Sequence, residues 1–253
     1  MPVMPGAEPY SHAGGPIGVL VIHGFTGSPV SMRPWAEHLA AAGFTVELPR
    51  LPGHGTRWED MAVTRWDDWY SEVDRRLTDL KGRCDQVFVA GLSMGGSLTL
   101  RLAEQRPSDV AGLILVNPAV HTERWDRHLL PVVRHLVKAF PGIINDTKKP
   151  NVDEGGYSKL PLQAVYSLQQ AWATIKSDIA RVTSPVLLMH SRVDHVVEPS
   201  NSAWILSHIS SKDTTEIWLE DSYHVATLDN DAPLIFSNSV EFINRVASSA
   251  TSA

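Results

Sequence analysis

The chain has one cysteine, Cys84, among 253 residues, so no intrachain disulfide is available and a reducing compartment suits it. Excess positive charge is missing as well: 22 Lys and Arg stand against 28 Asp and Glu, a net of −6. No basic stripe remains to neutralise phosphates, which argues against a nucleic-acid partner. Long apolar runs are absent. The run Ile17 to Ile22 is far too short for a bilayer, and the first nine residues lack the basic and apolar stretches of a secretory signal. These absences predict a cytoplasmic protein. There are eleven histidines but no H-E-x-x-H or C-x-x-C spacing, so no metal is expected. The remaining composition, 43% hydrophobic and 20% charged, is that of an ordinary globular protein, and this length suits a single α/β domain with a substantial core.

What is present centres on Val87-Phe88-Val89-Ala90-Gly91-Leu92-Ser93-Met94-Gly95-Gly96. An apolar strand runs into a tight turn and then into a helix. Gly91, Ser93 and Gly95 make the pattern G-x-S-x-G. By chance it occurs in about one chain in ten of this length, so alone it decides little. The strand before it and the helix after it are what give it weight. In that setting the glycines permit close approach of backbone to backbone, and the turn lifts the serine hydroxyl into the open. The helix that follows aims its free N–H groups at any negative charge forming nearby.

Around this stretch, strands alternate with helices. Pro9 to His12 reads as a short edge strand, and Pro16 to Ile22, Phe44 to Leu48, Gln86 to Ala90 and Val110 to Val116 as strands. Trp35 to Ala42 reads as a helix stopped by Gly43. Trp66, Trp69, Val73 and Leu77 repeat at helical spacing, their tryptophans belonging to the core. The alternation predicts a mostly parallel sheet of about seven strands with helices on both faces, and ligands then gather at the C-terminal strand ends. After Asn117-Pro118 the rhythm stops for 50 to 60 residues. Leu129, Val132, Val133, Leu136, Val137 and Phe140 share a helical face, Pro141 to Tyr157 reads as a loop, and Val165, Leu168, Ala171, Trp172 and Ile175 form a second helical stripe. This insertion, spanning roughly 120–175, would form a cap over Ser93. The sheet resumes at Val186 to Met189 and closes with Glu216 to Leu219. A helix over Asn201 to His208 and another from Pro233 to Val246 follow these strands, and Ser248 to Ala253 reads as a frayed tail.

A serine hydroxyl needs a base to take its proton, and a carboxylate to orient that base. In the chain order Ser, Asp, His, the candidates are Ser93, Asp194 and His224, each just past the end of a predicted parallel strand. Rivals have more economical readings. Asp221 and Asp229 suit turns and solvent. The side chain of His195 should diverge from that of its neighbour Asp194. His190 suits a satisfied core histidine, His54 a brace, and His23 an orienter of the glycine loop. An oxyanion would rest on the amide of Met94 and on a second amide in the loop after the early strand, where Phe25 has the right place.

The segments His23-Gly24-Phe25-Thr26-Gly27-Ser28-Pro29, Gly53-His54-Gly55, Gly91 to Gly96, Asp194-His195-Val196-Val197 and Ser222 to Asp229 together resemble the α/β-hydrolases. The narrower likeness is to bacterial monoacylglycerol lipases and small carboxylesterases. That resemblance implies ester hydrolysis on glycerol monoesters without a cofactor. It also implies substrate contacts from the cap: Ile143 facing the acyl chain and Glu154 approaching the glycerol end, although a solvated loop glutamate fits Glu154 equally. Monoglycerides reside in membranes or micelles, so the cap's apolar face is a candidate for transient contact with them. A broad carboxylesterase, a thioesterase and a non-catalytic ligand-binding relative remain the alternatives.

Overall fold

The computed structural model describes residues 2–251. In chain order these form β1 (Tyr10–His12), β2 (Ile17–Ile22), α1 (Arg33–Ala41), β3 (Thr45–Leu48), α2 (Trp58–Ala62), α3 (Trp66–Lys81), β4 (Gln86–Leu92), α4 (Met94–Gln105) and β5 (Gly112–Val116). The insertion holds α5 (Leu130–Val133), β6 (Ala139–Pro141), β7 (Lys159–Pro161) and α6 (Leu162–Asp178). The chain then completes β8 (Val186–Ser191), α7 (Ser200–His208), β9 (Thr214–Leu219) and α8 (Ala232–Thr251).

Seven strands make one sheet in the order β1-β3-β2-β4-β5-β8-β9. Within this sheet β1 alone pairs antiparallel, at the edge against β3. The central strands are covered on both faces, which is why they read as unbroken apolar runs. Their alternate residues divide between two cores. Leu20, Val89, Leu113, Leu115 and Leu188 meet Trp69 and Leu77 of α3, Leu98 of α4 and Ile175 of α6. Val19, Val21, Phe88, Ile114 and Met189 meet Trp35 and Leu39 of α1 and Phe242 and Ile243 of α8. The chain runs from β2 outward to β3 and returns to β4 on the other side of β2. That reversal makes the C-terminal ends of β2 and β4 the natural place for a ligand.

The insertion departs from the sequence expectation. The apolar stripe from Leu129 to Phe140 does not form one helix. Only α5 is helical there, and Phe140 sits in β6, paired antiparallel with β7, so the insertion also carries two short strands. An amphipathic helix is held by burying its stripe, but Val132 and Leu136 are 66% and 80% exposed. Prolines 131 and 141 bracket the segment, and Val132, Val133 and Val137 are β-branched, which further weakens a helix. The second stripe behaves as expected: α6 buries Leu168, Ala171 and Ile175. At the C-terminus, α8 continues to Thr251 where a frayed tail was expected, with Ser249 Oγ donating to the Arg245 carbonyl (2.9 Å). Ser252 and Ala253, the end of that expected tail, lie outside the described residues.

Candidate active site

Ser93 joins β4 to α4 with φ of 57° and ψ of −117°, a left-handed conformation that side chains other than glycine seldom adopt. Packing enforces it. A Cβ on Gly91 would collide with the backbone of Gly95, and one on Gly95 would collide with the carbonyl of Ile22. The two glycines therefore let α4 press against both β4 and β2. Ser93 is buried to 7% exposure. Its N–H donates to the Val116 carbonyl (3.0 Å), so the turn is also anchored to β5.

Asp194 follows β8 and its side chain is fully buried. Oδ1 accepts from the amides of Val196 and Val197, both at 2.8 Å. Oδ2 accepts from Nδ1 of His224 at 2.8 Å. Burial opposes charge on the Asp194 carboxyl, but His224 and the two amides outweigh it and hold the group below the usual carboxylate range. For His224, burial works against the imidazolium. The Asp194 carboxylate, helped by Glu154 and Asp146, more than reverses that and raises its pKa above the ordinary value. With Nδ1–H committed to Asp194, Nε2 is the nitrogen left to accept a proton.

Phe25 and Met94 occupy the loop after β2 and the first turn of α4. The first N–H groups of a helix have no internal acceptor, which leaves the Met94 amide available. Phe25 packs edge-on against Trp69, and Thr26 Oγ1 donates to its carbonyl (2.6 Å). His23 orients this loop as expected: its Nδ1 meets the Gly24 carbonyl at 3.0 Å and its Nε2 accepts from the Leu51 amide at 3.2 Å. That pattern requires a neutral ring, and burial lowers its pKa to about 4. His54 is buried beside it, its Nδ1 on the Pro52 carbonyl (3.0 Å). His190 is a core histidine bonded to Ser202 Oγ (2.5 Å).

The insertion supplies the remaining candidates. Glu154 is half-buried, and Oε1 accepts from the Asn145 amide at 2.6 Å. Burial raises its pKa, and His224 is close enough to pull it partly back. Ile143 is 51% exposed on the loop after β6. An open cavity of about 350 Å³, lined by Trp58, Phe140 and Lys159 among others, lies apart from Ser93, Asp194 and His224.

Three residues near the site escaped the sequence reading. Asp229 is no solvent residue: it is 3% exposed, and its carboxylate accepts from the amides of Tyr223 (2.9 Å), Lys148 (2.6 Å) and Lys149 (2.8 Å). Nothing local in the sequence marks these long-range partners. Asp221 keeps its exposed turn position and pairs with Lys148. Asn117, buried with a φ of 44°, donates through Nδ2 to the His224 carbonyl (2.7 Å) and accepts from the Ser191 amide (2.7 Å). An asparagine just past a buried strand and before a proline was the available signal. Asp146, inside the expected loop, accepts from the His224 amide at 3.1 Å.

Comparison with known proteins gives the chain a family. Residues 17–231 match the family described as serine aminopeptidase, S33. The chain is 44% identical to a thermostable monoacylglycerol lipase of Bacillus sp. (strain H-257), over 97% of this chain and 98% of that protein. It is 26% identical to a carboxylesterase of Bacillus subtilis (strain 168), over 94% and 97% of the respective chains. Among solved structures, one reported with the metagenome-derived lipolytic enzymes LipS and LipT superposes with a TM-score of 0.94 at 44% identity, covering 96% of this chain and all of that one. The monoacylglycerol lipase of Paleococcus ferrophilus shares the fold, with a TM-score of 0.81 at 20% identity, over 94% and 98%. A strained serine in a strand-to-helix turn, on a mostly parallel seven-stranded sheet, thus matches sequence kinship along nearly the whole chain: the protein is an α/β-hydrolase of the serine aminopeptidase, S33 family.

Proposed function

We propose that the protein hydrolyses carboxylic esters, with monoacylglycerols as the preferred class, through an acyl-enzyme on Ser93. The observation that carries the chemistry is the 2.8 Å bond between His224 Nδ1 and Asp194 Oδ2 at the sheet edge where Ser93 is held. His224 Nε2 takes the Ser93 proton as Oγ attacks the ester carbonyl. The oxyanion rests on the Phe25 and Met94 amides. The protonated His224 then gives its proton to the departing glycerol oxygen. Water, deprotonated by the same nitrogen, releases the fatty acid and restores Ser93.

Residues of about 120–175 act as the cap, in one domain with the sheet. Ile143 turns toward the acyl chain as the cap adjusts, and Glu154 receives the glycerol hydroxyls. The half-buried position of Glu154, near enough to His224 to act on its charge, supports that role over a fully solvated one. The exposed Val132, Leu136, Phe140 and Ile143 offer an apolar face to the membrane or micelle that holds the substrate. Among the described residues no helix is long and apolar enough to cross a membrane, and the single cysteine supports a cytoplasmic setting.

The test is kcat/KM for a medium-chain monoacylglycerol against the methyl ester of the same acid. The shared acyl group leaves glycerol recognition as the only difference. A preference of tenfold or more, about 1.4 kcal/mol in the transition state, is expected. Equal values would replace the monoacylglycerol reading with that of a general carboxylesterase.

A further inference from the structure

Two carboxylates, Asp146 in the cap and Asp229 in the loop after β9, join the cap to the catalytic loops. Its segment after β6 descends to the end of the sheet, where Asp146 is nearly buried, its side chain 10% exposed. Oδ2 of Asp146 accepts from the His224 amide at 3.1 Å and, more loosely, from the His195 amide at 3.4 Å. Oδ1 meets Nδ1 of His195 at 2.8 Å. The main chain adds a bond from the Val225 amide to the Asp146 carbonyl at 3.0 Å. One cap residue thus holds both the loop after β8, which carries Asp194, and the loop after β9, which carries His224. The rings of His195 and Tyr223 close the same seam edge to face, with centroids 4.6 Å apart. Five residues after His224, Asp229 fixes the same cap segment by accepting from Lys149 and, on the loop side, from Tyr223.

Asp194 and His224 lie 30 residues apart on separate loops, joined directly by one hydrogen bond. Their relative position sets whether Nε2 can reach the serine, and a displacement of about 1 Å costs about a hundredfold in rate. A carboxylate that accepts from both loops removes that freedom, and its charge adds to the field favouring the imidazolium. The charged or titratable groups facing His224 are Asp194, Glu154, Asp146 and the neighbouring His190.

We propose that Asp146 is a positioning residue for the triad: from the cap, it holds the loops bearing Asp194 and His224 in register, so that a lowered cap completes the catalytic geometry. This rests on the reading of Ser93, Asp194 and His224 as the triad.

The experiment compares the wild-type protein with Asp146→Asn and His195→Gln, using a small fluorophosphonate that reports serine reactivity without glycerol recognition. Asp146→Asn presents an N–H₂ group to donors and loses at least one bond. The expected result is a fall of about 10- to 100-fold in both the phosphonylation rate and kcat, with KM within about threefold. The acid limb of kcat/KM should also move to lower pH, which a purely structural role would not produce. His195→Gln, which removes only the side-chain contact, should lose about two- to fivefold. Wild-type rates and an unmoved pH limb in a folded Asp146→Asn protein would overturn the proposal. Should that variant fail to fold, wild-type phosphonylation by His195→Gln would overturn it instead. Absence of any Ser93 adduct in the wild type would refute the triad reading itself, so the two failures are distinct.

Discussion

The sheet and the cap obey different physics. In the sheet, strands such as β5 are buried throughout, their neighbours are fixed by a regular ladder, and side chains alternate between two apolar cores. In the cap segment from Leu129 to Ile144, large apolar residues face outward. What ties the chain just after it, Asp146 to Lys149, to the loop bearing His224 is a set of hydrogen bonds accepted by the carboxylates of Asp146 and Asp229. Burial makes the sheet stable whether or not substrate is present. Polar ties can be broken and remade in water at small net cost, because lost bonds are replaced by water. The proposed cap, which would admit a lipid to Ser93, is better built the second way.

The largest effect should come at the sheet edge. Ser93→Ala should lower turnover by about 10⁴-fold or more while leaving thermal unfolding unchanged, since only one hydroxyl is removed. Steady-state hydrolysis and calorimetry on the same preparation check this. Next, Leu115→Ala in β5 should destabilise by about 2–5 kcal/mol, because a fully buried side chain leaves a cavity. Denaturant unfolding measures it, and a cost below 1 kcal/mol would mean that the sheet is not the rigid body of the comparison.

The raised pKa of His224 fixes the sign of the pH response. The base must be neutral to accept a proton, so kcat/KM should climb with pH through an apparent pKa above the ordinary histidine value of about 6.5. A limb below that value would contradict the dominance of Asp194 and its partners over burial. Smaller still, Glu154→Gln should reduce the ratio of monoacylglycerol to methyl-ester kcat/KM by about three- to tenfold without changing methyl-ester hydrolysis by more than about twofold. The smallest stability effect belongs to the cap face. Leu136→Ser should alter stability by no more than about 0.5 kcal/mol, as expected of an exposed position. It should nevertheless slow hydrolysis of micellar substrate relative to a water-soluble ester. If both substrates respond equally, the cap face has no part in meeting the lipid.

The same contrast explains what could be read from the sequence. Strands β2, β4, β5 and β8 announce themselves because burial on both faces demands continuous apolar residues. The turn at Ser93 is legible because its steric needs select Gly91 and Gly95 locally. Asp194 and His224 follow from chain order and from their positions after strands. The first part of the cap is opaque for the opposite reason. Its stripe from Leu129 to Phe140 has helical spacing, yet spacing carries structure only when a neighbour buries the stripe, and there only α5 winds into a helix. Asp229 looked like a turn residue because its acceptor role depends on Lys148 and Lys149, about 80 positions earlier. Asp146 was invisible on the same ground: its value lies in meeting two loops that no local pattern links to it.

The most direct test of the central claim is intact-mass analysis after treatment with a fluorophosphonate, followed by peptide mapping. The account predicts one adduct per chain, located on Ser93, formed together with loss of esterase activity and absent in Ser93→Ala. An adduct elsewhere, or full esterase activity in Ser93→Ala, would contradict it.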